Sequence, residues 1–163
     1  MSSARSERSA RPTSTSKPDV ALLAYTRVLD TYVKSDRTFL KFQDTLADLM
    51  EGLKDKVNLN HVEGGDAQAD LRLYDFAQSV LRRRLDQKGV TIRTKEIVAD
   101  ILAAKMEVYL EIRDARAAAN ARDAAVAIYR EIQRTAPHTA ALEQKIDDLQ
   151  ARYRELQRKF QRR

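Results

Sequence analysis

Apolar residues recur along most of the chain at the three- and four-residue spacing of an amphipathic helix, and only residues 90–94 alternate as a strand does. A first apolar stripe, within residues 18–57, is broad enough to face a protein core. The pattern predicts a break in it at Ser35-Asp36. The stripe consists of Leu22, Tyr25, Leu29, Tyr32, Phe39, Leu46, Met50, Leu53 and Val57.

Two further helical segments are predicted in the middle of the chain. One covers residues 66–88, where Asp66 can cap the first turn and Gly89 suits the left-handed residue that follows a last turn. The other covers residues 94–135 and is rich in alanine. It fits either one continuous helix of about 60 Å or a helical hairpin that turns near residues 120–123. Periodicity alone does not decide between these two structures.

The last part of the chain, residues 136–163, carries the most regular pattern. Its apolar residues step by four, three, four, three and four, which is the a/d repeat of a coiled coil. This narrow seam predicts a helix that packs against a partner helix, of another protein or of a second copy. Pro137 favours a break just before that helix. The seam residues are Leu142, Ile146, Leu149, Tyr153, Leu156 and Phe160.

The predicted fold class is therefore all-α: a helical bundle of about four helices with a C-terminal heptad helix. The bundle is assigned to residues 18–135 and the heptad helix to residues 136–163. Residues 1–17 contain Ser, Thr, Arg and Pro but no large apolar side chain apart from Met1. Nothing in that segment compensates the entropy lost on ordering, so it is predicted to be a disordered basic arm.

Composition narrows the class of protein without naming an activity. The 163 residues include no cysteine, which excludes thiolate nucleophiles, redox CxxC pairs and zinc sites with sulfur ligands. No window offers the roughly 18 uninterrupted apolar residues that a membrane span needs. The N-terminus has no apolar run that would serve as a signal peptide. We therefore expect an intracellular protein, cytoplasmic or nuclear, that is neither secreted nor membrane-spanning.

The net charge of +6 is concentrated at the two ends of the chain. Residues 1–17 carry +3 and residues 150–163 carry +5, which leaves −2 for the segment between them. Such ends are expected either to contact an acidic partner, such as nucleic acid, an anionic membrane surface or an acidic protein surface, or simply to stay solvated. The candidate anion-contacting residues are Arg82, Arg83, Arg84, Arg152, Arg158, Lys159, Arg162 and Arg163.

No residue pattern predicts catalysis, and we expect no catalytic residue, metal site or cofactor. His61 and His138 lack the partner four residues away that makes a helical metal pair. Phosphate-binding glycine loops, nucleophile elbows and zinc-protease motifs are also missing from the sequence. The expected function is a non-catalytic structural or adaptor subunit that docks into a larger assembly through helix packing and its basic ends. The alternative is a nucleic-acid-binding protein that contacts phosphates without reading the base sequence.

Overall fold

The computed structural model of the protein describes residues 23–24, 27–28, 31–62, 65–136 and 140–161. All regular structure in this part of the chain is α-helix, without a strand, so the all-helical expectation is confirmed. The arm predicted over residues 1–17 lies outside the described residues. The helices are α1 (Asp36–Val62), α2 (Ala67–Arg82), α3 (Ile92–Glu111), α4 (Ala115–Thr135) and α5 (Ala140–Gln161).

Helix α1 begins at the position where the sequence predicts a break. The hydroxyl of Ser35 accepts a hydrogen bond from the backbone N–H of Thr38 at 3.1 Å, which satisfies one of the free donors at the start of the helix. Phe42 has non-helical backbone angles and marks a kink within α1. Beyond the kink, Leu46 and Met50 are fully buried, so this part of the predicted apolar stripe faces the core. Leu22, Tyr25 and Leu29 of the stripe lie outside the described residues.

Helix α3 is the centre of the fold because it packs against each of the other four described helices. Around it, α1 packs on α2 and α4 packs on α5. Its sequence is suited to this position, because apolar residues occur on every side of the helix rather than along one stripe. The residues of α3 that are at most 3% exposed are Thr94, Ile97, Val98, Ala99, Ile101, Leu102 and Met106.

The alanine-rich region 94–135 forms a hairpin and not one continuous helix. The turn lies at residues 112–114, so the predicted position near residues 120–123 is wrong. Arg113 adopts a left-handed backbone conformation, with φ of 64°, which ends α3. The carboxylate of Asp114 then accepts a hydrogen bond from the backbone N–H of Ala117 and caps α4. Residues 120–123 continue α4, since alanine is the best helix former.

Helix α2 ends at Arg82, six residues earlier than predicted, and Gly89 lies in the connection to α3. Gly89 is nevertheless left-handed, with φ of 96°. The buried side chain of Gln43, on α1, holds this connection in place. Its amide nitrogen donates to the carbonyl of Gly89 at 2.9 Å. Its amide oxygen accepts from the backbone N–H of Thr91 at 2.8 Å and from the hydroxyl of Thr94 at 3.0 Å. One side chain therefore fixes the entry into the central helix.

We expect Gln43→Met to lower the free energy of unfolding by about 2 kcal/mol. An apolar side chain of similar size leaves the part-buried backbone groups of Gly89 and Thr91 without this partner and removes one of the two partners of the buried Thr94 hydroxyl. Urea denaturation followed by circular dichroism measures the change. Gln68→Met, at an exposed position of α2, is the matched control and is expected to change stability by less than about 0.5 kcal/mol. Equal unfolding free energies in the two variants would contradict the role given to Gln43.

Candidate functional site

The seam of α5, which the sequence assigns to a partner helix, is buried in the core of this chain. The first five seam residues are between 2 and 8% exposed, and Phe160 is partly buried against the same core. They lie where α5 packs on α3 and α4, so these two helices occupy the place expected for a partner. In this structure the seam is not an open docking surface.

A polar cluster beside the seam joins α5 to α3 and α4. The ammonium of Lys145 donates to a carboxylate oxygen of Glu96 at 2.5 Å and to both carboxylate oxygens of Asp100 at 3.0 and 3.2 Å. The hydroxyl of Tyr129, on α4, donates to Asp100 as well. Three helices are therefore held together by one pair of acids spaced four residues apart on α3.

The pKa shifts in this cluster keep its lysine charged and its tyrosine neutral, which does not favour proton transfer. Burial lowers the pKa of Lys145, but the hydrogen bonds and negative charges of Glu96 and Asp100 outweigh it and leave the pKa above its usual value. Burial raises the pKa of the Tyr129 hydroxyl, and the charge and hydrogen bond of Asp100 raise it further. Lys145 stays protonated and Tyr129 stays neutral at neutral pH, so neither is poised as a base or nucleophile.

Arg152, one of the candidate anion-contacting residues, is engaged with acids of its own chain. Its guanidinium donates to Glu107 on α3 at 2.5 Å and lies 3.3 Å from Glu155, one turn further along α5. The hydrogen bond to Glu107 raises the pKa of Arg152, against a smaller opposing effect of burial. Arg152 therefore stabilises the α3–α5 contact, and an external anion would have to compete with two carboxylates.

The arginine triplet at residues 82–84 divides between two environments, because α2 ends at Arg82 and Arg84 lies in the connection to α3. Arg84 is half-buried, donates to the carbonyl of Val33 at 3.0 Å and lies 3.7 Å from the carboxylate of Asp36. It ties the α2–α3 connection to the start of α1. Arg82 and Arg83 are exposed at the carboxyl end of α2, where positive charge complements the helix dipole.

The solvent-facing side of α5 is acidic in its first half and basic in its second. Arg154, Arg158 and Lys159 are exposed in the second half. Arg154 and Arg158 form no ion pair with a described acid, and Lys159 lies 5.5 Å from the centre of the Phe160 ring. This charge distribution matches the helix dipole. Arg162 and Arg163 lie outside the described residues. The exposed acidic residues of the first half are Glu143, Asp147 and Asp148.

Four cavities of about 210 to 390 Å³ lie between the helices of the described part. Three of them adjoin α5. Two of these three share Glu107 and Arg152, so the ion pair of these residues forms a common wall. The described residues contain no cluster of three or more side chains suited to bind a metal ion. Among the same residues, no helix has the length and apolar character required to cross a membrane.

Compared with protein-family models, with curated proteins and with solved structures, the chain matches none. The function is therefore inferred from the residues and their geometry.

Sequence reasoning did not single out Lys145, Asp100 or Lys105, although each lies in a polar contact between helices. Two signals were available in the sequence. Glu96 and Asp100 are spaced to share one side of a helix, and Lys105 is the single charge within residues 101–106. A lone lysine in such an apolar run indicates a buried cation with a polar partner.

Proposed function

We propose that the chain is a non-catalytic structural or adaptor subunit, and that it docks into a larger assembly through the basic second half of α5. The observation that carries the proposal is the exposed pair Arg154 and Arg158, which has no acidic partner among the described residues and stands on a helix held rigidly by its buried seam. We propose that the heptad repeat of α5 serves coiled-coil-like packing within the chain. Docking then uses the opposite side of the helix.

The site chemistry supports a non-catalytic function. In the cluster around Lys145 and Asp100, Lys145 and Tyr129 keep their protons at neutral pH, and the hydrogen bonds of the cluster join three helices. Such a cluster stabilises an arrangement of helices without offering a group for proton transfer. A rigid arrangement of this kind is what a docking surface requires, because less conformational entropy is lost on binding.

The size of the basic patch favours an acidic protein surface over nucleic acid. Residues 154–159 span only about 8 Å of helix, enough to meet one or two phosphates of a nucleic acid strand. Tight binding to nucleic acid needs more phosphate contacts than that, whereas an acidic protein patch of similar size can pair with the whole surface. Nucleic-acid binding is therefore an outcome of the test and not our proposal.

We expect Arg154→Glu with Arg158→Glu to weaken binding of the full chain to an acidic polypeptide such as polyglutamate by about tenfold, because two exposed ion pairs contribute up to about 1 kcal/mol each. Fluorescence anisotropy at low salt measures the affinity. The matched control is Arg130→Glu with Arg134→Glu on α4, which reverses two exposed arginines at the same spacing, the second of them in the last turn as Arg158 is.

The control variant is expected to bind polyglutamate within about threefold of the wild type, since its charges lie outside the proposed patch. Equal weakening in both variants would mean that binding follows net charge alone and would overturn the proposal. Tighter binding to a DNA duplex than to polyglutamate, with a steep loss of affinity as salt rises, would replace the proposal by the nucleic-acid alternative. Light-scattering mass of each variant shows whether self-association changes with the same charges.

A further inference from the structure

The cavity between α2, α3 and α4, about 270 Å³ in volume, differs from the other three in the charge of its lining. Each of the other three cavities has three carboxylates in its lining. The α2–α4 cavity has no carboxylate in its lining and two cations, Arg82 and Lys105. We propose that the α2–α4 cavity binds a phosphate group, either free or as the monoester of a small molecule.

Lys105 provides the buried positive charge of this cavity. Its side chain is 10% exposed, and its ammonium donates to the amide oxygen of Gln78 at 2.7 Å and pairs with the carboxylate of Asp75 at 2.5 Å. An ammonium has three N–H donors, so these two contacts leave a third that the described residues do not occupy. Asp75 is more than half exposed and is not part of the lining, but its carboxylate offsets much of the Lys105 charge. The net positive charge at the cavity therefore comes from Arg82, which forms no ion pair with a described acid.

Three further residues that carry a hydrogen-bond donor line the same cavity from three different helices. They are Arg82 on α2, Tyr109 on α3 and Asn120 on α4. Burial raises the pKa of the Tyr109 hydroxyl, with smaller contributions from Asp75 and Asp114, so this group keeps its proton and can donate it. With Lys105, four residues that carry donor groups line one cavity.

The number of donors favours phosphate over a carboxylate. A phosphate monoester presents three strong acceptor oxygens, whereas a carboxylate presents two, and the planar guanidinium of arginine pairs well with phosphate. The rest of the cavity is lined mainly by small side chains such as Ala117 and Ala121, which leave room for a short organic group. The volume lies just below the roughly 300 Å³ at which small-molecule sites begin, so the ligand is small.

The alternative role of Arg82 is to complement the dipole at the carboxyl end of α2. Its neighbour Arg83 is equally placed for that role but does not line the cavity. Comparing variants of the two arginines therefore distinguishes phosphate binding in the cavity from a general effect of removing a positive charge. Arg83→Gln is the matched control for Arg82→Gln.

The test is isothermal titration of the full chain with inorganic phosphate and, separately, with glycerol phosphate, at constant ionic strength. We expect saturable binding to the wild type, a loss of about tenfold in affinity in Arg82→Gln, and a change of less than about twofold in Arg83→Gln. The tighter of the two phosphate probes identifies whether free phosphate or a monoester is the ligand. Acetate serves as the carboxylate probe and is expected to bind more weakly.

A second variant tests Lys105 without removing it. Gln78→Glu keeps the size of the side chain and its contact with the Lys105 ammonium, but adds a second carboxylate beside that of Asp75. Two carboxylates then balance the charges of Lys105 and Arg82, so the cavity loses its net positive charge. We expect it to abolish phosphate binding with an unchanged circular dichroism spectrum. No saturable phosphate binding to the wild type, equal losses in Arg82→Gln and Arg83→Gln, or acetate binding as tight as phosphate would each overturn the proposal.

Discussion

Replacing Leu149 and Leu156 together by aspartate is expected to lower the free energy of unfolding by at least about 4 kcal/mol. Both side chains are buried, at 7 and 5% exposure, where α5 packs on the rest of the chain. The variant loses two apolar side chains from the core and places two carboxylates there without a cationic partner. Because the whole stability of a domain is only about 5–15 kcal/mol, we expect partial or complete unfolding. Urea denaturation of the full chain, followed by circular dichroism, measures this change.

The matched control adds the same two charges to the exposed side of α5. Ala141 and Ala151 are exposed on that helix, and their joint replacement by aspartate is expected to change stability by less than about 1 kcal/mol. If the Leu149→Asp, Leu156→Asp variant instead keeps the stability of the wild type and loses only self-association in light scattering, the seam faces a second chain. That result would contradict the intrachain packing seen here.

The seam illustrates what periodicity can and cannot predict. The spacing of Leu142 through Leu156 predicts which side of α5 is apolar, and that side is buried. It does not predict the partner, because a heptad stripe presents the same surface to a helix of its own chain as to a helix of another. Long-range packing decides between these, and a stripe on one helix carries no information about which other helices lie nearby.

The hairpin of α3 and α4 shows a similar limit at a turn. Alanine enrichment in residues 115–127 favours close helix packing and a long helix equally. The sequence pattern therefore predicts the turn near residues 120–123, within this alanine-rich segment, and not at residues 112–114. The actual turn depends on a left-handed Arg113, a conformation in which glycine or asparagine is more common, followed by the capping residue Asp114. Asp114 was the usable signal, since aspartate is among the preferred N-cap residues.

The sequence predicts which candidate site residues are basic, but it does not predict which acidic residues they contact. Basic residues at the carboxyl end of α5 stand out in the sequence, and Arg158 is indeed exposed. The pairings of Arg152 with Glu107 and of Lys145 with Asp100 each join residues 45 positions apart. No local pattern encodes such a pairing, so which cations are engaged and which are free to meet a partner follows only from the packed structure.

Raising the pH above about 10 is expected to destabilise the fold steeply through Tyr74 and Tyr129, which are 1 and 3% exposed. Burial raises the pKa of both hydroxyls, and the charge of Asp70 adds to this at Tyr74 as that of Asp100 does at Tyr129. In the unfolded chain both tyrosines have the ordinary pKa of about 10. Above that pH the unfolded state loses two protons that the folded state retains, so stability falls as pH rises.

Each such tyrosine contributes a slope that approaches about 1.4 kcal/mol per pH unit, so the pair lowers the stability by about 2.5 kcal/mol between pH 10.5 and 11.5. Lys145 also lowers stability as the pH rises, because its pKa is raised in the folded chain. Its contribution to stability is lost as the pH rises above the ordinary lysine pKa toward the raised value. Urea denaturation at a series of pH values measures the slope. We expect Tyr74→Phe and Tyr129→Phe each to remove about half of it, although Tyr129→Phe also loses the hydrogen bond to Asp100 at neutral pH. An alkaline slope that is unchanged in the double phenylalanine variant would show that other groups cause it.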